Sequence, residues 1–410
     1  MAGLFLMEKI LDIQKTILDD FEKESFYERN VFKKITYDNH ITGLVGPRGI
    51  GKTTFLLRQA QILGAKQGKA VYVSADNLFF LENRLFDLVD RLYKETDVHL
   101  LCIDEIQKYD NWQQELKNIA DTFRHLRILF TGSSMIELTS GKYDLSRRVT
   151  LHHLYGLSFR EFLEFYHDTR LPTFSLQDIL KNHLSIAQEL SIFKPLKLMK
   201  EYWQIGYYPF FKTLSTEHEK FQAIANATQK TIYEDISTLH SLKTSTLMVI
   251  EKLYKYILNS LSGEISVYKL ANALDKDFTS ISEYFHYLEQ AGLVRFLYSA
   301  QSGKAHLKNP IKIYPENSNL IYSSYLSLVE DAMKGKVRET FVLNHLQNAG
   351  KQVFYSEVGD FKVDDVTIEV GGKNKSAAQI KGVKNAYVFA DDIIVGSGNK
   401  IPLYLLGLLY

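Results

Sequence analysis

The chain is poor in cysteine and proline, and its charges almost cancel. Its 410 residues include one cysteine and 7 prolines. A single thiol excludes a disulfide framework within the chain and is compatible with a reducing cytosol. The low proline content argues against long disordered linkers. These absences favour a folded cytoplasmic protein, and the length predicts two to four domains.

The net charge is +1, which excludes a strongly basic, nucleic-acid-coating protein. Any DNA site must therefore be a local patch. No apolar run approaches the length that spans a bilayer, and residues 1–9 lack the layout of a signal peptide. We therefore expect no membrane partner.

The strongest positive signal is a glycine-rich stretch, residues 46–53, between a predicted strand and a predicted helix. It fits the pattern Gly, four residues, Gly-Lys-Thr. Such a turn aims several backbone N–H groups at one point, and the helix dipole adds to them, which creates an anion site. We expect Lys52 to reach the β- and γ-phosphates and Thr53 to hold Mg²⁺ through its hydroxyl. The predicted nucleotide-binding residues are Gly46, Pro47, Arg48, Gly49, Ile50, Gly51, Lys52, Thr53 and Thr54.

A second signal is an apolar run at residues 98–103 that is closed by two acids, Asp104 and Glu105. Such a run is typical of a parallel strand buried on both faces. Downstream of a phosphate loop, this pattern predicts that Asp104 binds Mg²⁺ through water and helps to orient Thr53, and that Glu105 is the general base for the attacking water. The pair therefore favours hydrolysis over binding alone.

Two further predicted strands end in polar residues. Asp76 ends the first of these strands. It is predicted either to lie near the γ-phosphate or its water, or to be an ordinary loop residue. The second ends at residues 131–134, where ATPases with this layout use a polar side chain to contact the γ-phosphate or the catalytic water. Ser133 is favoured there over Thr131, and a simple Gly-Ser turn is the alternative.

Taken in order, four stretches resemble the AAA_14 group of prokaryotic AAA-type ATPases: residues 46–54, 102–107, 129–134 and 145–148, with the last continuing over 157–163. The resemblance implies ATP as the nucleotide and an ASCE-type core. In that core an extra strand lies between the phosphate loop and the acidic strand, and the strand predicted around Val71 agrees with this.

In this group an arginine before the Leu-Ser-Phe-x-Glu-Phe segment is a candidate arginine finger or sensor. Two adjacent residues fit, Arg147 and Arg148. A finger supplied by a neighbouring subunit would couple hydrolysis to a homo-oligomer. An ordinary exposed pair with an acid is the alternative.

Residues 161–241 read as a helical lid that opens with a capping box of Ser158 and Glu161. Residues 242–305 read as three helices and a hairpin, the order of a winged helix. Its recognition-like helix would expose Thr279, Ser280, Ser282 and His286. DNA-reading helices usually carry Arg, Lys, Asn or Gln there, so contact with a protein client is favoured and DNA is left open.

Residues 306–410 resemble the DUF4143 region that often follows AAA_14 cores, whose fold is similar to restriction endonucleases. Nucleases of that fold need an acid and then Glu-x-Lys on the next strand. Here Asp364 or Asp365, with Glu339, are the candidate acids, and Lys373 follows Glu369 two places late. An inactive nuclease-like fold is therefore favoured over cleavage.

The sequence thus predicts an α/β chain: an N-terminal helix (1–35), a parallel-sheet P-loop NTPase core of the AAA/ASCE type (36–160), the lid, the winged helix and a restriction-endonuclease-like domain. The predicted function is a Mg²⁺-dependent ATPase that acts as a nucleotide-controlled switch; an ATP-gated DNA nuclease and a DNA-binding regulator are the alternatives. The predicted catalytic residues are Glu105, Lys52, Arg147, Arg148 and Ser133, and the predicted metal ligands are Thr53 and Asp104.

Overall fold

The computed structural model describes residues 2–35, 40–134, 145, 147–261, 263–300, 310–324 and 331–410. The chain forms two compact units, Met1–Tyr155 and Gly156–Tyr410. Ser146, which is part of the AAA_14-like pattern, and the predicted boundary between residues 305 and 306 lie outside the described residues. None of the described helices has both the length and the apolar content needed to cross a membrane.

The first unit alternates helices with five short strands. The helices are α1 (Ala2–Phe21), α2 (Asn30–Lys33), α3 (Lys52–Ile62), α4 (Leu85–Glu95) and α5 (Trp112–Thr122). The strands are β1 (Ile41–Val45), β2 (Ala70–Ser74), β3 (Leu100–Asp104), β4 (Arg127–Gly132) and β5 (Val149–His153). Every residue of β1 and β3 is buried, and for β3 this is what the near-continuous apolar run before Asp104 predicts.

The five strands form one parallel sheet in the order β2-β3-β4-β1-β5. The prediction of an extra strand around Val71, between the phosphate loop and the acidic strand along the chain, is confirmed by β2. Across the sheet, however, β4 lies between β1 and β3, and β2 lies at the edge beyond β3. Order along the chain does not fix order across a parallel sheet.

The second unit begins with helices. These are α6 (Phe159–His167), α7 (Leu176–Leu190), α8 (Pro195–Ile205), α9 (Glu217–Lys230), α10 (Ser237–His240), α11 (Thr244–Asn259), α12 (Val267–Ala273), α13 (Phe278–Gln290), α14 (Ser318–Ser324) and α15 (Lys334–Asn348). A π-helical turn, Thr231–Ile236, joins α9 to α10. The capping box is confirmed: the Ser158 hydroxyl accepts from the N–H of Glu161, and the Glu161 carboxylate accepts from the N–H of Ser158.

Seven strands of the second unit form a mixed sheet. They are β6 (Val294–Ser299), β7 (Lys312–Pro315), β8 (Val353–Tyr355), β9 (Phe361–Val363), β10 (Val366–Gly371), β11 (Ala386–Ala390) and β12 (Lys400–Pro402). Their order is β12-β11-β10-β9-β8-β6-β7. Strands β6 and β7 are antiparallel and follow α11, α12 and α13, the element order predicted for a winged helix. Because β6 also pairs with β8, this hairpin is part of the C-terminal sheet, and assignment to that fold stays a prediction.

Candidate functional site

The phosphate loop connects β1 to α3 in a conformation that requires glycine. Gly51 has a φ of 96°, in the left-handed region where a side chain is strained. A Cβ atom added to Gly46 would lie 2.2 Å from the carbonyl oxygen of Leu154. Ile50 is fully buried and anchors the loop between these glycines. The loop therefore has little freedom to rearrange.

Lys52 is the first residue of α3, and only 5% of it is exposed. Its ammonium donates to the carbonyl oxygens of Gly46 and Pro47, at 2.8 Å each. The lysine therefore folds back across the loop, and its charge lies at the concave side of the turn.

Thr53 and Asp104 meet although they are distant in sequence. The Thr53 hydroxyl donates to Oδ2 of Asp104 at 2.9 Å. The hydroxyl of Tyr72, on β2, donates to the same oxygen at 3.1 Å. Burial and the nearby Asp104 carboxylate raise the pKa of Tyr72 far above its ordinary value, so the phenol stays protonated and continues to donate. No sequence motif marks Tyr72 for this contact.

The Thr53 and Asp104 oxygens fit a magnesium ion. A hydroxyl and a carboxylate beside a phosphate cradle are the two protein ligands that Mg²⁺ commonly takes, because it keeps several waters and binds phosphate oxygens directly. No third protein ligand is needed for this arrangement. The donor set therefore matches Mg²⁺ held together with a nucleotide.

Thr131, the second-choice residue at the end of β4, contacts both acids. Its hydroxyl donates to Oδ1 of Asp104 and accepts from the backbone N–H of Glu105 at 3.1 Å. The side chain is fully buried. Thr131 thus orients the predicted metal ligand and the backbone of the predicted base.

Glu105 follows β3 with a φ of 51°, in the left-handed region. Its carboxylate accepts from the side-chain amide of Gln107 at 2.5 Å, and the Gln107 oxygen accepts from the N–H of Ser133 at 3.3 Å. Gln107 therefore links Glu105 to Ser133. The polar side chain two places after the acids, within residues 102–107, was the available signal for this role. Asp76 is exposed and accepts from Ser74 at 2.5 Å, as a loop residue would.

The two candidate arginines lie at the other end of the sheet. In the parallel pair, Val149 is opposite Ile41, and His153 is opposite Val45, which leads into the loop. Residues 147 and 148 therefore lie before the amino-terminal ends of these strands. The phosphate loop follows their carboxyl-terminal ends, which are roughly 13 Å away at about 3.3 Å per residue. Arg148 forms an ion pair with Asp121, with Nε–Oδ1 at 3.0 Å, whereas Arg147 is exposed. The structure does not bring either arginine to this chain's own phosphate loop.

Thr131→Val is expected to lower the turnover number for ATP about tenfold, because two buried polar groups lose their partner. The affinity for ATP should change less, since the phosphate loop is untouched. Steady-state kinetics with Mg²⁺ and ATP measure both quantities. Thr131→Ser keeps the hydroxyl and is the matched control; equal losses in both variants would contradict this role for the hydroxyl.

A second set of charged residues lies in the second unit. Glu339 on α15 accepts from the hydroxyl of Tyr314 at 2.6 Å, and Asp360 accepts from the N–H of Val370 at 2.8 Å. Burial raises the pKa of Glu339, Asp360 and Glu369, and the charge of Asp360 adds to the shift of the two glutamates. Of the predicted acids, Glu339 and Glu369 belong to this set.

Asp364 and Asp365 do not belong to this set of acids, and the prediction that one of them is an acid of the nuclease-like site was wrong. They form the turn between β9 and β10, where Asp364 has a φ of 53° and Asp365 accepts from the side chain of Asn385. Asp360, at the start of β9, is the acid near the glutamates. A turn of two residues reverses the chain there and carries the Asp-Asp pair to the opposite end of the hairpin.

The lysine beside Glu369 is Lys375 rather than Lys373. Lys375 forms an ion pair with the buried Glu369, and its side chain covers Gly371, where an added Cβ would lie 2.5 Å from it. Lys373 is exposed. Among the described residues, no three His, Cys, Asp or Glu side chains are arranged to hold a metal. Lys375 therefore supplies the positive charge that faces Glu369.

Lys375→Met is expected to destabilise the protein at pH 8 by about 1–3 kcal/mol. A buried carboxylate that loses its cation costs more, but Lys375 is about one third exposed. The Glu369 pKa is raised in the folded state, so folding binds a proton and stability falls as the pH rises through that pKa. The deficit should therefore shrink near pH 5. Chemical denaturation at both pH values measures it, with Lys373→Met as the control; equal deficits at both pH values would contradict the pairing.

Two family models match parts of the chain. Residues 38–163 match AAA_14, an AAA domain. The parallel order of the sheet, the phosphate loop and the acidic strand agree with that match. This region is an AAA-type P-loop domain. Residues 196–323 match DUF8612, a domain of unknown function. The family model that matches after the AAA domain is therefore not the predicted DUF4143.

The similarities to whole proteins and to solved structures say less about function than the family matches do. Two proteins of Methanocaldococcus jannaschii, both named as uncharacterized, are similar over most of the chain. MJ1637 is 26% identical and covers 87% of this chain and 81% of its own, and MJ1544 is 26% identical and covers 92% and 82%. AMPPCP-bound DnaA from Aquifex aeolicus is 21% identical, covers 66% and 90%, and has a TM-score of 0.26. At that score the likeness has no weight for function.

Proposed function

We propose that the protein is a Mg²⁺-dependent ATPase whose nucleotide state acts as a switch on the second unit. The observation that carries the proposal is the 2.9 Å contact between Thr53 on the loop helix and Asp104 at the end of the acidic strand, with Glu105 next in the chain. A site for binding alone has no need of a base at that position. The match of residues 38–163 to an AAA domain supports ATP as the nucleotide.

In this proposal, each residue of the site has a separate task. The loop N–H groups and Lys52 bind the β- and γ-phosphates, and Thr53 and Asp104 hold the metal. Mg²⁺, when bound, neutralises charge on the phosphate oxygens. Glu105 orients a water for in-line attack and takes its proton, while Thr131 fixes the backbone of Glu105 and Gln107 fixes its carboxylate.

We further propose that Arg147 completes the site of a neighbouring copy. It is exposed at the sheet edge away from its own loop, and a guanidinium is suited to charge on a transferring phosphoryl group. Arg148 is the weaker candidate, because its guanidinium is engaged by Asp121. Turnover would then depend on assembly.

The segment α11 to α13 is proposed to contact a protein client. Tyr268 and Phe278 are 67% and 45% exposed there, and apolar rings favour protein surfaces over phosphates. The Ser280 hydroxyl donates to Asp277 within its own helix cap. These features do not favour base reading, and the proposed setting is the cytoplasm.

The test is the ATP turnover rate per chain, measured against Mg²⁺ and protein concentration, with and without duplex DNA, alongside the mass of the ATP-bound particle. We expect turnover that requires Mg²⁺, rises with concentration as the particle assembles, and ignores DNA. ATP binding without turnover at any concentration would contradict the proposal and favour a nucleotide-binding regulator. Nicking of supercoiled plasmid in the same assay would instead favour a nuclease.

A further inference from the structure

Arg29 is a buried arginine in the first unit, just before α2, and only 4% of it is exposed. Its Nη1 donates to the carbonyl oxygen of Tyr155 at 2.7 Å and to that of Ile50 at 3.4 Å. Its guanidinium carbon lies 6.0 Å from the centre of the Phe32 ring. Burial of a charge is costly unless acceptors compensate for the lost water, and two backbone carbonyls do so here.

The Ile50 carbonyl belongs to the phosphate loop. In a trans peptide, the C=O of Ile50 and the N–H of Gly51 lie in one plane and point in opposite directions. A donor that holds the Ile50 oxygen therefore fixes the direction of the Gly51 N–H. The nearby positive charge also polarises that peptide and strengthens the N–H as a donor.

The Tyr155 carbonyl lies where the chain leaves the first unit. Tyr155 is the last residue of the first unit, and the second unit begins at Gly156. Its neighbour Leu154 donates its N–H to the Val45 oxygen at 2.8 Å, and the Leu154 oxygen lies against Gly46. Residues 154–155 thus touch the phosphate loop near its start directly, and near its end through Arg29.

We propose that Arg29 is a positioning residue that holds the phosphate loop and the 154–155 exit as one piece, so that nucleotide in the loop is sensed where the chain enters the second unit. This rests on the proposed nucleotide-binding function. Arg29 does not touch the phosphates in this scheme; it acts through the Ile50 and Tyr155 carbonyls. A lysine carries the same charge on a single amine and lacks the planar fork that presents several N–H groups at once.

The test uses the full chain with Arg29→Met and Arg29→Lys. The dissociation constant for ATP in Mg²⁺ should rise about tenfold in the methionine variant, because a charged hydrogen-bond donor is lost. It should rise at least threefold in the lysine variant. Arg58→Met is the matched control, because Arg58 packs 5.1 Å from the Phe26 ring in the same region and should leave affinity unchanged.

Hydrogen exchange of peptides covering residues 149–156 supplies a readout that loss of packing alone would not change. In the wild type, ATP should slow hydrogen exchange in these peptides, and both Arg29 variants should lose that response. Without nucleotide, the thermal midpoint of Arg29→Lys should stay near the wild-type value. Wild-type affinity and a wild-type exchange response in Arg29→Lys would overturn the inference even if Arg29→Met does not fold. Failure of the wild type to bind ATP would instead overturn the proposed function.

Discussion

Glu105→Gln is expected to lower the turnover number for ATP about a thousandfold while leaving the dissociation constant for ATP nearly unchanged. The amide is the same size as the carboxylate but cannot take a proton from water. Gln107 donates its amide to a Glu105 carboxylate oxygen, and the side-chain oxygen of glutamine can accept the same bond. The substitution should therefore remove the base without disturbing its surroundings.

Single-turnover hydrolysis and equilibrium binding of ATP separate these two effects. Glu82→Gln, an exposed glutamate of the same unit, is the control for the loss of one negative charge. A variant at Glu105 that hydrolyses ATP at the wild-type rate would remove this residue from the mechanism. A variant that no longer binds ATP would assign Glu105 to the structure of the site.

Arg147→Ala is expected to reduce turnover about a hundredfold in assembled protein, since arginines that reach a transferring phosphoryl group have effects of this size or greater. Arg148→Ala should reduce it less than about threefold, because its exposed pair with Asp121 contributes little. The physical reason for the difference is that Arg147 is exposed, whereas the Arg148 guanidinium is held by Asp121 on α5 of its own chain.

Mixing provides a stricter test of Arg147. A copy with Arg147→Ala retains Glu105, and a copy with Glu105→Gln retains Arg147, so a mixed assembly contains some complete sites. Turnover of the mixture should exceed that of either variant alone at the same total concentration. If it does not, Arg147 does not act across copies.

The phosphate loop and the acidic strand were predictable from sequence because both are local. Residues 46–54 set their own conformation through glycines, and Asp104 follows its strand directly. The 2.9 Å contact from Thr53 to Asp104 needs only the parallel strands that these patterns imply. The matched AAA domain confirms the P-loop core.

Thr131 shows where the local pattern gives no answer. Thr131 is in β4 and Ser133 follows it directly, and the sequence prediction favours Ser133 over Thr131. The structure places the Thr131 hydroxyl between Asp104 and the backbone of Glu105, because the parallel register of β3 and β4, with Ile103 opposite Phe130, brings the ends of these two strands together. The assignment depends on which residue of one strand lies opposite which residue of the next.

Lys375 was unpredictable for a different reason. Spacing along the strand points to Lys373, but the chain turns back after Gly371, and a lysine four places on reaches Glu369. The absence of a side chain at Gly371 leaves the room for it. The alternation of side chains along a strand does not predict the path of the loop that follows it, and that path decides which lysine reaches Glu369.

The sharing of β6 between two neighbours has a consequence for shortened versions of this chain. β6 pairs with β7 on one side and with β8 on the other. A fragment that ends before β8 would leave Tyr298 and Ser299 of β6 without their β8 partners, and unpaired strand N–H and C=O groups are a template for strands of other molecules. A fragment that keeps the helices before β6 but lacks residues 353–355 therefore has an unpaired strand edge that favours aggregation. Insolubility of such a fragment would be a result of the truncation and not a property of the native fold.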